Sequence, residues 1–223
     1  MTVVEGAAAG ANLRQQILER LRWEIVSGRT PPDKLFSVPA LASELGVSTT
    51  PVREALLELA RDGLVTPLRN RGFRVEAMSA PDLENLLTLR ELLETHALVV
   101  AARLRITDTD DLRRAADAVA DAVRDRDVPR YLAADRAFHR ALVGKADNPR
   151  LTKMVLQLRD DMRLYGIDSP EGRERQETSV REHYEMIEVA SRGDVERAAP
   201  LVTQHIMSWK PLFLAALVSG EAR

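Results

Sequence analysis

In the stretch DRAFH, Asp135 and His139 stand four residues apart. On a helix that spacing puts both side chains on one face, one turn apart, which is a common half of a metal site. His139 is followed at +3 and +4 by Leu142 and Val143, so it points toward an apolar face. His183 has Val180 at −3 and Met186 and Ile187 at +3 and +4, and His205 has Leu201, Val202 and Trp209 in the same relation. A single inward histidine is usually a hydrogen-bonded core residue. Three of them, on three predicted helices and joined by Asp135, make a coherent donor set. Three imidazoles and a carboxylate suit Zn²⁺, Ni²⁺, Mn²⁺ or Fe²⁺, with Zn²⁺ the first expectation. The fourth histidine, His96, also reads as inward-facing between Leu92, Val99 and Val100, as a core or interface residue.

Arg90 is the other residue whose place invites chemistry. Leu86, Leu87, Leu93 and Ala97 put it in the apolar stripe of a predicted helix. A guanidinium in such surroundings needs a partner. Glu94, at i+4, is one. The carboxylate of a small ligand seated on the metal is the other, since arginine grips carboxylates with two parallel hydrogen bonds. Both readings stand on the sequence.

These residues need a scaffold. The chain has 223 residues, 45% hydrophobic and 30% charged, a soluble globular composition with room for one large or two ordinary domains. It has no cysteine, which excludes disulfides and thiolate metal sites. No apolar run is long enough to span a bilayer, and MTVVEGAAAGAN lacks the basic and apolar regions of a signal peptide. The expectations are a cytoplasmic protein with no membrane partner and a disordered tail over residues 1–11. The net charge is −2, but residues 11–77 carry ten Lys and Arg against eight Asp and Glu. Gly63 to Val75 holds Arg69, Arg71 and Arg74 with no acid, the kind of local cluster that serves a phosphate-binding surface.

Leu13, Ile17, Leu21 and Ile25 recur every four residues, predicting a helix that Gly28 and Pro31-Pro32 end. A short helix follows around Pro39 to Leu45, closed by Gly46. Ser48 or Thr49 can cap a third, with Val52, Leu56 and Leu59 inward and Gly63 as its stop. LVTPL and GFRVEA then read as two strands joined by the basic loop RNR. Three helices and a hairpin wing over residues 12–77 predict a winged helix-turn-helix. After a linker at 78–81 the pattern is helical only. Segments near 82–104, 109–125, 129–144, 149–165, 175–191 and 195–217 predict an all-α bundle over 82–217. Thr107 with Asp110 reads as a variant capping box, and Pro200 should kink the last segment.

The block GVSTTPVREALLELARDGLV, with GRTPPDKL before it and RNRGFRV after it, resembles the winged-helix domain of the GntR family of bacterial transcription regulators. The remainder, with LRELLE, DRAFH, REHYEMIEVASRGD and a late histidine, is similar to the FCD ligand-binding domain of the FadR subfamily. The resemblance covers about residues 12 to 217. It implies a mostly α fold, a metal site at Asp135, His139, His183 and His205, and no counterpart for His96 as a ligand. Independently of the family, a recognition helix enters the major groove by its N-terminal residues. Ser48, Thr49 and Thr50 lie at that end and Arg53 one turn in, while Arg69 and Arg71 sit at the wing tip. The alternative for Arg53 is an ion pair, for instance with Glu58.

The expected function is a ligand-responsive regulator, a repressor first, that binds a palindromic double-stranded DNA operator as a homodimer. Its effector would be a small carboxylate on the metal, gripped by Arg90. A metal sensor is an alternative in which the ion itself is the signal. A metal-dependent hydrolase is another, disfavoured because no extra Glu or His is placed beside the ligands as a general base and because a hydrolase would not need the winged helix.

Overall fold

The computed structural model describes residues 3–162, 164 and 166–221. The chain divides into two compact units, Met1–Met78 and Ser79–Arg223, and the seam falls inside the predicted 78–81 linker.

The first unit contains α1 (Val3–Val26), β1 (Leu35–Phe36), α2 (Val38–Leu45), α3 (Thr49–Arg61), β2 (Val65–Leu68) and β3 (Gly72–Val75). The predicted stripe of α1 is buried at Ile17, Leu21 and Ile25, and it packs on α3, whose Val52, Ala55, Leu56 and Leu59 are fully enclosed. Ion pairs Arg14–Glu58 and Arg22–Asp62 tie the two helices at their flanks. α1 starts earlier than the stripe indicated and takes in residues expected as a tail, Met1 and Thr2 lying outside the described residues. The run EGAAAGAN is rich in alanine, the strongest helix former.

Gly46 ends α2 at φ 67°, in the left-handed region, and its N–H caps the carbonyls of Ala42 and Ser43. That reversal sends the chain through extended Ser48 into α3. β2 and β3 form the predicted hairpin, with Val65 opposite Val75 and Leu68 opposite Gly72. The sheet order is β1-β3-β2, so Pro67 sits on an edge strand, where its missing N–H breaks no central ladder. β1 was not predicted. It pairs Leu35 with Arg74 and Phe36 with Phe73, and the approach is so close that a Cβ on Gly72 would meet the Phe36 carbonyl at 2.0 Å.

The second unit contains α4 (Ala80–Leu104), α5 (Asp110–Arg124), α6 (Val128–Gly144), α7 (Pro149–Asp160), α8 (Pro170–Arg192), α9 (Val195–Met207) and α10 (Lys210–Glu221). α4 runs through the middle, in contact with α6, α7, α8 and α9, and buries Leu83, Leu87, Ala97, Leu98 and Ala101. Side chains of Ser79, Asp127, Asn148, Ser169 and Asp194 accept backbone N–H groups in the first turns of α4, α6, α7, α8 and α9. The bundle thus has seven helices among the described residues where the sequence indicated six. α9 continues through Pro200, and the break comes later, at Ser208 and Trp209. α7 stops at Asp160, short of the predicted 165, and Arg163 and Tyr165 lie outside the described residues. α8 begins at Pro170, five residues earlier than the predicted 175. The Thr107–Asp110 box does not form, because α5 starts at Asp110 behind Thr109, whose side chain makes no cap bond. His96 is exposed, not inward as the sequence suggested. None of the described helices is long and apolar enough to cross a membrane.

Candidate metal centre

α6 carries Asp135 and His139 on one face, as their spacing required, while α8 supplies His183 and α9 supplies His205. The three imidazoles are 1%, 0% and 3% exposed. One ring nitrogen from each lies within 4.8 Å of the others. His205 Nε2 is 3.3 Å from His139 Nε2, and Asp135 Oδ1 is 3.4 Å from His183 Nε2 and 3.8 Å from His139 Nε2. The four predicted ligands therefore meet at one point in the bundle.

The atoms behind them decide which nitrogens face inward. His205 Nδ1 lies 2.8 Å from Glu182 Oε2, a carboxylate that also accepts from Arg175 Nη2 at 2.5 Å and, on Oε1, from Gln204 Nε2 at 3.2 Å. His139 Nδ1 lies 3.0 Å from Glu94 Oε2, an ion-pair approach rather than an aligned hydrogen bond. Glu94 accepts from Arg90 Nε at 2.8 Å and from Arg159 Nη1 at 3.0 and 3.2 Å, and Arg159 Nη2 donates to Asp135 Oδ2. The Glu182 carboxylate at His205 Nδ1 favours the proton there and leaves the Nε2 lone pair to the centre, and Glu94 stands behind His139 Nδ1 on the same side, the usual outer shell of a metal-binding histidine. His183 stacks on Phe138 with centroids 4.1 Å apart, and neither of its nitrogens has a hydrogen-bond partner among the described residues. A buried imidazole with both nitrogens unmet is costly, and a bound cation is the natural partner.

Electrostatics put these groups in their ligating forms at neutral pH. Burial pushes His139 down to about 4, helped by Arg159 and opposed by Glu94 and Asp135. Burial also lowers His183, well below the ordinary value, with neighbouring His205 adding to it. It lowers His205 against the pull of Glu182. For Asp135 burial acts upward, but Arg159 and the three imidazoles together hold it well below the usual carboxylate range. Neutral imidazoles around an ionised carboxylate are what a divalent transition metal needs, so the residues present fit such an ion.

Arg90 is buried and bonded to Glu94, the partner the sequence offered at i+4. The sequence reading missed Arg159, Arg175 and Glu182. Their signal was positional: Arg159 follows buried Leu151 and Val155 at four-residue steps, and Arg175, Ser179 and His183 repeat the same step along α8. Two glutamates do stand beside the ligands, contrary to expectation, but each is engaged by a histidine Nδ1 and by arginine.

In the first unit, Ser48, Thr49 and Thr50 are exposed at the start of α3, with Arg53 exposed one turn on. Glu58 pairs with Arg14, and Arg53 makes no ion pair among the described residues. Arg69 and Arg71 are exposed in the turn between β2 and β3, where Asn70 takes φ 58° and Arg71 N–H bonds the Leu68 carbonyl at 3.1 Å. A helix start and a cationic hairpin tip thus present hydroxyls, free N–H groups and three arginines.

Two family models match, bacterial regulatory proteins of the gntR family over residues 13–75 and the FCD domain over residues 85–208. A probable D-xylose utilization operon transcriptional repressor of Paenarthrobacter nicotinovorans is 27% identical, over 88% of this chain and 86% of its own. The regulator BphR of Paraburkholderia xenovorans is 30% identical over 89% and 85%, and the transcriptional repressor GlaR of Escherichia coli is 25% identical over 91% and 98%. Among solved structures, Escherichia coli McbR/YncC matches with a TM-score of 0.71 at 21% identity, over 93% of this chain and 97% of that one, a likeness of fold. With a winged helix that offers its recognition helix to solvent and a bundle built around four converging donors, the chain belongs to the GntR family of DNA-binding transcriptional regulators, in the branch that carries an FCD domain, and is not an enzyme.

Proposed function

We propose that this regulator is a repressor that binds a palindromic operator as a homodimer and is controlled by a small organic acid seated on a divalent metal. Asp135, His139, His183 and His205 would hold the ion, with zinc first among the candidates. When bound, the ion supplies a fixed positive charge that draws an anion into the site. The observation that carries the reading is the meeting of three buried imidazoles and Asp135, with both nitrogens of His183 unmet. Arg90 is the proposed grip on the acid, using N–H groups other than the Nε it gives to Glu94. Ser48, Thr49, Thr50 and Arg53 would meet the major groove, and Arg69 and Arg71 the adjoining backbone or minor groove. Two of the relatives named above are themselves called repressors, which supports that direction of control.

The test begins with metal content. Loaded with Zn²⁺ and freed of excess, the chain should retain about one ion per copy, and His139→Ala, His183→Ala and His205→Ala should each lose it while His96→Ala keeps it. Operator affinity is then titrated with metal alone and with metal plus organic acids. A chain that holds no ion after loading would remove the metal centre, and a response complete with metal alone would make the ion the signal.

A further inference from the structure

Buried polar atoms without partners are not scattered through the molecule. Eight such side-chain atoms occur among the described residues, and six belong to His139, His183, Arg175 and Ser179. His139 Nδ1 faces the Glu94 carboxylate, and the proposed metal answers one nitrogen of His183. The atoms of Arg175 and Ser179 have no such answer.

Arg175 is 9% exposed, and its guanidinium lies over the Trp209 ring, 5.3 Å from the centroid. Its Nη2 is spent on Glu182 and on the His205 carbonyl, at 2.5 and 2.8 Å, while Nε and Nη1 meet no acceptor. Ser179 is 0% exposed, and its Oγ also has no partner; Tyr131 of α6 stands beside it without an aligned hydrogen bond. Arg175, Ser179 and His183 follow one another at four-residue steps on α8, so they form a polar row on one helix face that ends at the metal ligand. Unspent donors at this depth call for an acceptor group.

Charge and length say which acceptor. Around the centre Arg90, Arg159 and Arg175 are matched by Glu94, Asp135 and Glu182. With neutral imidazoles the cluster balances, and a divalent ion leaves it two positive charges in excess, which a dianion cancels. Four residues of helix rise about 6 Å, so a group at Ser179 stands about that far along the axis from the level of His183. We infer that the row Arg175–Ser179 holds the second carboxylate of a short dicarboxylic acid, of roughly four to five carbons, whose first carboxylate lies at the metal. The inference rests on the metal reading above and goes further by naming the ligand class and the far end of its site.

The experiment uses the full chain loaded with Co²⁺, titrated with acetate and with succinate, read by the visible spectrum of the ion and by calorimetry. Succinate should bind at least ~10-fold tighter than acetate, as charge-assisted hydrogen bonds at the far carboxylate require. Ser179→Ala removes only an unmet hydroxyl, so the fold should tolerate it; succinate should weaken by ~3- to 10-fold and acetate not at all. Arg175→Gln should abolish the preference, and if that variant does not fold, Ser179→Ala decides. If both acids change the spectrum with equal affinity, and Ser179→Ala alters neither, the inference is wrong while the metal reading stands. If neither acid binds the loaded chain, both fall.

Discussion

Acid should unfold the helical unit from its centre outward, and His139 sets the size of the effect. In the folded chain burial holds this imidazole down to about 4, against about 6.5 for a free histidine. Between those values the unfolded chain binds a proton that the folded chain refuses. Stability therefore rises with pH across this window and is lost as pH falls through 6.5 toward 4. One proton changes stability by about 1.4 kcal/mol per pH unit, so moving from pH 7.5 to pH 5 should cost about 2 kcal/mol through His139 alone. His183 and His205 shift the same way and add to it. Asp135, Glu94 and Glu182 are lowered carboxylates, whose contribution is intact above the ordinary carboxylate range and fades only at lower pH, so they do not mask the histidines. Trp209, buried against Arg175 and Phe213, reports this unit, and Trp23→Phe leaves it as the only tryptophan. In metal-free buffer with chelator, the urea midpoint followed by Trp209 fluorescence should drop by roughly 1 M or more between pH 7.5 and pH 5. His139→Gln should flatten the dependence by about one proton. A midpoint that stays level over this range would show that the imidazoles are not buried neutral, and the account of the centre would fail with it.

Three further substitutions test the operator-binding surface and the acid grip. Arg53→Ala should cost about 1–3 kcal/mol on the cognate operator, and Arg71→Ala should weaken binding on all sequences and lower the salt slope by about one; unchanged binding by Arg53→Ala, measured by fluorescence anisotropy, would misplace the recognition helix. Arg90→Ala should keep zinc and operator binding yet lose the response to acids, and equal thermal shifts with succinate in wild type and variant would leave Glu94 as its purely structural partner.

The parts that were legible in the sequence share a physical cause. The stripes of α1 and α3 could be read because their inward positions are apolar and their outward ones are not, and Gly46 marked the turn because it takes φ 67° there. The three clustered histidines showed through because most of their neighbours at three and four residues are apolar. The same logic hid their supports. Arg175, Gln176, Ser179 and Glu182 lie on the buried face of α8, but a charged or polar residue on an inward stripe reads as surface, so their burial did not show although all four fall inside the predicted 175–191 segment. Arg159 was hidden likewise at the end of α7. β1 is two residues long, too short for an alternation, and its pairing depends on a distant glycine. His96 misled in the opposite sense, since Leu92 beside it is itself 63% exposed and the apolar neighbours did not mark a core.

The hidden residues also bear on why the centre is built from ions. A buried pair gains little net stability, because desolvating both charges offsets their attraction, and apolar residues of like volume would hold a bundle as well. On the proposed reading, three arginines and three carboxylates at the meeting point of four helices are accounted for by what they would bind. They also link what is bound to the scaffold: His139 leads to Glu94 on α4, and His205 leads to Glu182 and Arg175 on α8. On the proposed reading, an ion and an acid that pull on His139 and Arg90 act on the same helix through one carboxylate, Glu94. α4 is the helix that starts at the seam between the two units, directly after Ser79. A ligand changes operator affinity only by favouring one arrangement over another, and a coupling of about 1–3 kcal/mol gives a 5- to 150-fold response. Replacing the Glu94 carboxylate by an amide, Glu94→Gln, would weaken the shared link while keeping its shape. Such a variant should bind zinc and operator separately but respond to acid less than wild type, and a response of full size would place the coupling elsewhere in the bundle.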